Sequence, residues 1–274
     1  MIIATYNIDG LPSEVDLKDL PWILKPICWI YKIFKKTTIV KINDNNRPEI
    51  MDIMSYLAQK NIDITGVQED FFTFRIQKLL SYIKWFPYPR LNLNGINIYY
   101  NHTKNIKIIK EKFIPWEKSY GYFSHANDRI TTKGFKFYNI KYNNVLLDLY
   151  VVHLDADFYD SETNSDISGD IQARASQLKQ LSDFIIKQNS KNPAIIMGDF
   201  NCSPKNVWDN QLINDNFLIP LNNVWEVSSE GFKDVDRIFV INNGSHTLLL
   251  KNCYYDTLVH LSDHQPFIAE FEII

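Results

Sequence analysis

A carboxylate and a carboxamide stand two positions apart where the apolar run 195–197 leads into Gly198, Asp199 and Asn201. Side chains two positions apart lie on the same side of an extended chain, and we expect Gly198 to let the backbone turn as it leaves the sheet. Oxygen ligands of this kind bind hard cations and accompany phosphate-like oxyanions. Gly, Asp and Asn are also ordinary turn residues, so this run alone leaves a turn and a metal–phosphate site open.

Four other predicted strands also have acidic, amide or imidazole side chains at one end. Such strand ends are where α/β proteins usually build their sites. We therefore predict that these side chains converge at one rim. They are Asn7 and Asp9 after the first strand, Gln68, Glu69 and Asp70 after the second, His153, Asp155 and Asp157 after 145–152, and Asp263 and His264 before the last.

The residue types in this set suit the hydrolysis of a phosphate ester. Glu69 and Asp9 are hard oxygen ligands, which Mg²⁺ or Mn²⁺ prefers and zinc does not. The reaction needs charge stabilisation on the phosphate oxygens, an aligned water and help for the leaving oxygen. His153 and His264 could supply a neutral base and a cationic acid near pH 7.

Composition limits the class of protein. The 274 residues, 45% of them hydrophobic, suit one large domain or two small ones, and one domain is the simpler expectation. The net charge of -3 argues against a protein that coats nucleic acid non-specifically. The sequence contains no run of eighteen or more apolar residues, so no transmembrane helix is predicted.

The cysteines and the N-terminus favour an intracellular, cytoplasmic protein. The start MIIATYNIDG lacks a basic region and a small-residue cleavage site, so we predict no signal peptide. Cys28, Cys202 and Cys253 are odd in number and lack metal-ligand spacing, which indicates a reducing compartment. We expect Cys202 to be a packing residue.

The periodicity of apolar residues predicts strands that alternate with helices, and hence a layered α/β protein with helices outside packed sheets. A hairpin turn is expected at 143–144. Helices are predicted at 47–60, 74–83, 171–187 and near 204–214, and strands at 2–8, 62–68, 95–100, 134–142, 145–152, 194–200, 235–241, 247–253 and 266–273.

Eight short motifs in order along nearly the whole chain resemble the endonuclease/exonuclease/phosphatase hydrolases. That family includes deoxyribonucleases, apurinic-site endonucleases, tyrosyl-DNA phosphodiesterases, neutral sphingomyelinases and inositol-polyphosphate 5-phosphatases. The resemblance implies a DNase I-like α/β fold, a four-layer α/β/β/α sandwich of two packed, mainly antiparallel sheets, formed by residues 1–274 as a single domain. The motifs are TYNIDGLP (5–12), GVQED (66–70), NGINIYYN (94–101), KGF (133–135), VVHLDAD (151–157), MGDFN (197–201), VDRIFV (235–240) and LSDHQP (261–266).

The resemblance also implies a role for each matched residue, in an in-line attack by a metal-assisted water without a covalent intermediate. It implies a Mg²⁺ cofactor, with Mn²⁺ as the alternative. Asn7 and Glu69 match the metal positions, with Glu69 as the main ligand and with Asp9 and Asp263 beside them, and Asp199 and Asn201 match the pair that aligns the water and binds the phosphate.

The two histidines match different positions of the family. His264 matches a general base or phosphate ligand, and Asp236 matches the carboxylate that orients it. His153 matches the second histidine, which contacts the phosphate or aids the leaving group.

The chain departs from the family pattern on the hairpin at 94–101 and at His153, which stands where apurinic endonucleases use another arrangement. Some family nucleases carry a carboxylate on the hairpin at 94–101 to pair with the first histidine, but here that stretch offers only Asn94, Asn97 and Asn101. The partner of His153 therefore stays open. Asp9, two residues after Asn7, is instead like the apurinic endonucleases and tyrosyl-DNA phosphodiesterases.

The segment 21–36, within an insertion at about 13–46, bears on the substrate. Its sequence PWILKPICWIYKIFKK combines aromatic residues with lysines, as interfacial segments do. The alternative is a short helix packed on the sandwich edge. Arg129 and Lys133 are either phosphate contacts or solvated loop residues, and Arg174 is expected to be structural.

These observations predict a Mg²⁺-dependent phosphodiesterase, slightly favoured as a sphingomyelinase-like phospholipase C that contacts a membrane peripherally through 21–36. A nuclease or DNA-end-processing phosphodiesterase, acting on nucleic acid instead of lipid, is the close alternative. A catalytically silent binding protein on the same scaffold is the alternative from another class. We expect a monomer.

Overall fold

The computed structural model describes most of the chain, and the insertion predicted at about 13–46 lies outside the described part. The segments 74–82, 120–131, 157–158 and 229–233 also lie outside it. No helix in the described part is long and apolar enough to cross a membrane. The described residues are 1–8, 50–70, 83–86, 94–101, 103–119, 132–156, 159–160, 165–166, 168–228 and 234–274.

The first of two six-stranded sheets combines the N-terminal and C-terminal strands of the chain. Its strand order is β13-β14-β1-β2-β4-β3, and only β1 and β2 run parallel. The strands are β1 (Ile2–Asn7), β2 (Ile64–Gln68), β3 (Ile83–Phe86), β4 (Asn97–Asn101), β13 (Leu248–Tyr255) and β14 (Phe267–Ile273).

The second six-stranded sheet is formed by the middle of the chain, in the order β11-β12-β10-β7-β6-β5. Its one parallel pair joins β10 to β7. The strands are β5 (Ile106–Pro115), β6 (Gly134–Tyr142), β7 (Val145–His153), β10 (Ala194–Asp199), β11 (Val224–Val227) and β12 (Asp236–Ile241), and a separate two-stranded pair is formed by β8 (Tyr159–Asp160) and β9 (Ser165–Asp166).

The two sheets pack face to face over one apolar cluster, to which alternate residues of their strands contribute. Ile3 and Ile64 of the first sheet and Val151 and Met197 of the second are fully buried in it. The sheets approach so closely at Gly66 that an added Cβ would lie 3.2 Å from the Met197 side chain. This packing brings the ends of β1, β2, β7 and β10 to one rim.

Helices cover the outer faces, which completes the four predicted layers. Helix α1 (Ile50–Gln59) packs Ile53 and Leu57 against the first sheet. On the second sheet, α2 (Ser168–Gln188) buries Leu178 and Leu181. A further helical segment packs beside it, formed by α3 (Val207–Ile213), a π-helical stretch (Asn214–Leu218) and the short α4 (Ile219–Leu221).

The predicted α/β sandwich of two mainly antiparallel sheets is confirmed. Five strands of the described part were missed, namely β3, β5, β8, β9 and β11. The edge strand β5 was missed because a bulge shifts its register between Ile108 and Lys110 and so breaks the apolar alternation at the exposed Ile109. The four-residue β11 is too short for a periodicity to stand out. The helix predicted at 74–83 is wrong at its end, since Ile83 begins β3, and the rest of it lies outside the described residues.

Candidate active site

Three predicted site residues lie side by side on neighbouring strands of the second sheet. Asp199, the last residue of β10, is paired in register with His153 on β7 and with Asp236 on β12. All three are buried, with at most 1% of each residue exposed. Because they share the parity of Val151 and Met197, which face the other sheet, their side chains point to the inner side of the rim.

Gly198 permits this arrangement by close approach and not by the predicted turn. It lies inside β10 and is paired with Val152 and Arg237. Its φ is +153°, and an added Cβ would lie 2.0 Å from the Val152 carbonyl oxygen. The prediction that the backbone leaves the sheet at Gly198 is therefore wrong.

Asp199 uses its two carboxylate oxygens for different partners. Its Oδ1 accepts a hydrogen bond of 2.8 Å from the backbone N–H of Asn201. Its Oδ2 accepts one of 3.0 Å from Nδ2 of Asn7, which comes from the other sheet. Asn201 has a φ of +46°, and its Nδ2 donates to the carbonyl oxygen of Leu154 at 3.0 Å. The Asp–Asn pair is thus fixed at the rim by backbone and side-chain contacts.

Glu69 faces Asp199 across the gap between the sheets, with the amide of Asn7 between them. Asn7 Nδ2 donates to Glu69 Oε1 at 3.2 Å as well as to Asp199. Glu69 has a φ of +59°, in the left-handed region that residues other than glycine seldom adopt. Two carboxylates therefore converge on one N–H₂ group.

The convergence of Glu69 and Asp199 on a donor is the feature that fits a divalent cation. Both are hard oxygen ligands of the type Mg²⁺ accepts, and Glu69 is partly exposed, so water could complete a coordination shell. Within the described ranges, no group of three or more His, Cys, Asp or Glu side chains is arranged to hold a metal by itself. Asp9 lies outside those ranges. The described residues thus offer part of a ligand set.

His264 is bound to Asp236 across the two sheets. Its Nδ1 lies 2.6 Å from Asp236 Oδ2, and its Nε2 is 3.8 Å from Asp199 Oδ2. Burial alone would lower the pKa of His264, but the carboxylates of Asp236, Asp199 and Asp263 outweigh it and raise the pKa to about 10. Burial also raises the pKa of Asp236 to about 7, so the two groups share a proton, and the carboxylates favour the imidazolium form of His264.

His153 is buried and carries no charge at neutral pH. Burial, the Lys133 ammonium and the His264 imidazolium lower the pKa of His153 well below its usual value. Its Nε2 faces two carboxylates, at 3.7 Å from Asp199 Oδ2 and 3.9 Å from Glu69 Oε1. Neither ring nitrogen makes a hydrogen bond within the described part of the chain. His153 thus aims an unused nitrogen at the gap between those carboxylates.

The remaining predicted residues have mixed outcomes. Asp263 is exposed beside His264, and its Oδ1 lies 3.2 Å from Ser262 Oγ. Lys133 is neither a solvated loop residue nor open to the surface, because it is buried and its Nζ donates to the Leu154 carbonyl oxygen at 3.2 Å. Asp155 is buried, and its N–H donates to Gln177 Oε1. Asp157 and Arg129 lie outside the described residues.

Two structural expectations are confirmed next to the site. Cys202 is fully buried in the core beneath α2, as expected of a packing residue. Arg174 is also fully buried, where its Nη2 contacts Asp209 Oδ1 at 3.1 Å. Asp209 Oδ2 accepts from the N–H of Ser203 at 2.8 Å, so this ion pair secures the loop that follows Asn201.

Three supporting residues were missed from the sequence. Ser262 Oγ donates to the carbonyl oxygen of Asn7 at 2.8 Å, Trp116 Nε1 donates to that of His153 at 2.8 Å, and Arg237 Nη2 donates to that of Cys202 at 2.8 Å. Ser262 and Arg237 belong to the quoted motifs, which was a usable signal. Trp116 belongs to none, and only the fold brings it to His153.

Comparisons with known proteins show the fold of the chain. No protein-family model and no curated protein matches the sequence. Among solved structures, D. rerio TDP2 complexed with single-strand DNA product has 14% identity and a TM-score of 0.63, over 99% of this chain and 98% of that one.

Two further structures are alike over the same extent. Beta toxin from Staphylococcus aureus (F277A, P278A mutant with bound magnesium ions) has 19% identity, a TM-score of 0.60 and 98% coverage of both chains. The endonuclease/exonuclease/phosphatase from Bacteroides vulgatus has 15% identity and a TM-score of 0.60, over 100% of this chain and 98% of that one. Structural similarity at such low identities establishes the fold, but it does not establish which reaction the chain catalyses.

Proposed function

We propose that this chain, which has the fold of the endonuclease/exonuclease/phosphatase hydrolases, is a divalent-metal-dependent phosphoesterase, most specifically a phosphodiesterase. The observation that carries the proposal is the meeting of Asp199, His153, Asp236, His264, Asn7 and Glu69 at one rim. A scaffold can support many functions, so these side chains, and not the fold, support the proposal.

Asp199 and His264 have complementary roles in the proposed reaction. Asp199 aligns the attacking water through a carboxylate that Asn201 and Asn7 hold in place. His264, kept charged by Asp236, binds a non-bridging phosphate oxygen and stabilises the charge that grows there. Preorganised charge of this kind supplies a large part of catalysis in water-excluded sites. Of the two roles left open for His264, phosphate ligand thus has more support than general base.

His153 and Asn201 complete the phosphate site. His153 is neutral, so one of its ring nitrogens is a donor and the other an acceptor. With Nε2 facing Asp199 and Glu69, it can donate to a phosphate oxygen or to the leaving oxygen. The Asn201 side chain is anchored to Leu154, which fixes its carboxamide beside the water that Asp199 aligns.

Glu69 would be the main ligand of the cation, with Asn7, Asp9 and Asp263 as its companions. We propose Mg²⁺, with Mn²⁺ as the alternative, because the set consists of hard oxygen ligands. When bound, the ion supplies Lewis-acid stabilisation of the phosphate oxygens.

This reading of the site is tested by hydrolysis of bis-p-nitrophenyl phosphate with Mg²⁺, with Mn²⁺ and with EDTA. The wild type should turn over only with a metal ion present, and Asp199→Ala and His264→Ala should lose that activity while remaining folded. If the wild type is no faster than these variants with any metal, the enzyme proposal fails. A silent binding protein on the same scaffold is then the better description.

The favoured substrate is a phospholipid diester, cleaved as a sphingomyelinase-like phospholipase C would cleave it. The aromatic and basic segment 21–36 supports this choice, although it lies outside the described residues. A nucleic-acid diester is the alternative, and the likeness to TDP2 with its single-strand DNA product supports it. The sequence also predicts a cytoplasmic monomer with peripheral membrane contact.

A direct comparison separates the two substrates. The protein is assayed on sphingomyelin liposomes and on a nicked or abasic DNA duplex at equal concentrations of scissile diester. Faster release of phosphocholine supports the lipid proposal, whereas faster DNA cleavage supports the alternative. Deleting 21–36 should abolish liposome sedimentation of the protein without affecting turnover of bis-p-nitrophenyl phosphate. Liposome binding that survives the deletion would contradict the membrane role of this segment.

A further inference from the structure

A chain of buried polar side chains runs from the second sheet to the residue that follows Glu69. Lys136 of β6 donates from Nζ to Asn97 Oδ1 at 3.0 Å. Asn97 Nδ2 donates to Asp70 Oδ2 at 2.6 Å, and the Tyr99 hydroxyl donates to the same oxygen. All four residues are at least 95% buried. We call these four residues the Lys136 relay.

Lys136 is an unusual residue for its position in the sheet. Tyr138 and Ile140, two and four positions along β6, face the apolar cluster between the sheets, so Lys136 has the same parity. Burying an ammonium group carries a desolvation penalty that its partners must offset, and an apolar side chain would pack there without that penalty. Its one carboxylate contact is Glu111 Oε1 at 3.6 Å, within the described residues. Sheet packing alone does not account for Lys136.

The relay determines which way the Asn97 amide points. An amide side chain can present oxygen or N–H₂ in either direction. Because Lys136 is a donor only, it requires the oxygen of Asn97, and the N–H₂ group then faces Asp70. Without the ammonium, both orientations of Asn97 become open, and Asp70 loses a fixed donor.

Asp70 in turn fixes the backbone on the far side of Glu69. Its N–H donates to the carbonyl oxygen of Gly95 at 2.8 Å, while Gln68 on the near side is paired with Asn7 in the sheet. Glu69 lies between these anchors with a φ of +59°. A left-handed backbone is unfavourable for residues other than glycine and persists where the surroundings over-determine it. Asp70 and Gln68 are those surroundings.

We propose that Lys136 is a positioning residue for Glu69 and acts through Asn97 and Asp70. The inference rests on the proposed function in taking Glu69 as the metal ligand. Lys136 belongs to the second sheet and touches neither substrate nor metal. Through the relay it would control the direction in which the Glu69 carboxylate, next to the first sheet, points. The affinity of the site for its cation then depends on how the two sheets meet at Lys136.

The test compares Lys136→Met with Lys141→Met. Methionine is close to lysine in length and lacks the charge, and Lys141 lies on the same strand at a partly exposed position. Amide hydrogen exchange at Asp70 is measured in metal-free protein, and Mn²⁺ affinity is measured by electron paramagnetic resonance. Lys136→Met should speed exchange at Asp70 and weaken Mn²⁺ binding about 10-fold, as loss of an outer-shell partner does, while Lys141→Met changes neither.

A double-mutant cycle checks the route. In an Asn97→Ala background, Lys136→Met should weaken Mn²⁺ binding no further, because residues of one network are not additive. Asn97→Ala alone carries the same prediction as Lys136→Met and replaces it if that variant does not fold. Turnover of bis-p-nitrophenyl phosphate at saturating Mn²⁺ should fall much less than the metal affinity.

The outcomes separate this inference from the proposed function. If amide exchange at Asp70 is as slow in folded Lys136→Met and Asn97→Ala as in the wild type, the relay is wrong, even if the wild type hydrolyses phosphodiesters well. The relay is also wrong if both variants bind Mn²⁺ as tightly as the wild type. If the wild type hydrolyses nothing, the proposed function fails, and the metal-free exchange experiment still decides whether Lys136 positions Glu69.

Discussion

His264 Nδ1 lies 2.6 Å from Asp236 Oδ2, and this contact joins the two sheets at the candidate active site. Asp236 is the first residue of β12 in the second sheet, whereas His264 lies just before β14 in the first. The pair therefore exists only when the sheets are packed correctly. A charged imidazole held in this way is available to a phosphate without a conformational step.

Replacing Asp236 by Asn should remove the charge of His264 while keeping the shape of its partner. We expect hydrolysis of bis-p-nitrophenyl phosphate to fall about 100-fold or more, since a positioned imidazole typically contributes 10²–10⁴-fold. The exposed Asp215→Asn variant is the control and should keep full activity. Equal turnover in the two variants would mean that Asp236 does not govern His264.

Glu69→Gln should weaken the metal site more than it slows the chemistry. The amide keeps one oxygen but loses the charge, so we expect the Mg²⁺ concentration for half-maximal activity to rise about 10-fold or more. Glu117→Gln, at an exposed position, serves as the matched control. Metal titrations that superimpose for wild type and Glu69→Gln would remove Glu69 from the ligand set.

Gly198→Ala should destabilise the protein much more than Gly66→Ala. At Gly198 the new Cβ would lie 2.0 Å from a backbone oxygen of Val152, whereas at Gly66 it would meet the flexible side chain of Met197 at 3.2 Å. We expect a loss of about 3 kcal/mol at Gly198 and about 1 kcal/mol at Gly66. Urea denaturation measures both, and equal losses would contradict the close approach of β10 and β7.

Arg174→Met should show that the Arg174–Asp209 ion pair is structural. The change leaves the buried Asp209 without its guanidinium, which costs about 3–5 kcal/mol in comparable sites. The exposed pair Lys179–Asp183 is a control, and Lys179→Met should cost about 0.5 kcal/mol or less. Urea denaturation distinguishes the two, and a small loss at Arg174 would mean that other contacts hold the loop after Asn201.

The sequence predicted which strand ends carry polar residues but not how those ends are aligned. Asp199 and Asn201 could be recognised as candidate site residues from their types, because a carboxylate at the end of an apolar strand needs a partner. The register that places Asp199 between His153 and Asp236 depends on pairing between strands distant in sequence. No local sequence pattern encodes that pairing, so the alignment of these three residues became known only from the fold.

Buried polar residues were the hardest to interpret from the sequence. Lysine is usually exposed, yet Lys133 and Lys136 are both buried. The open question of a partner for His153 has a partial answer, since Asn97 bonds Asp70 and Lys136 instead. Asp9, Asp157 and the 13–46 insertion lie outside the described residues, and their roles stay predictions.

The most direct measurement of the central claim is hydrolysis of bis-p-nitrophenyl phosphate in ¹⁸O-labelled water by wild type and Asp199→Ala with Mg²⁺. Attack of an aligned water on phosphorus predicts one ¹⁸O atom in the p-nitrophenyl phosphate released by the wild type, none in the nitrophenol, and almost no product from Asp199→Ala. Label in the nitrophenol, or equal product from both proteins, would contradict a water-activating site at Asp199.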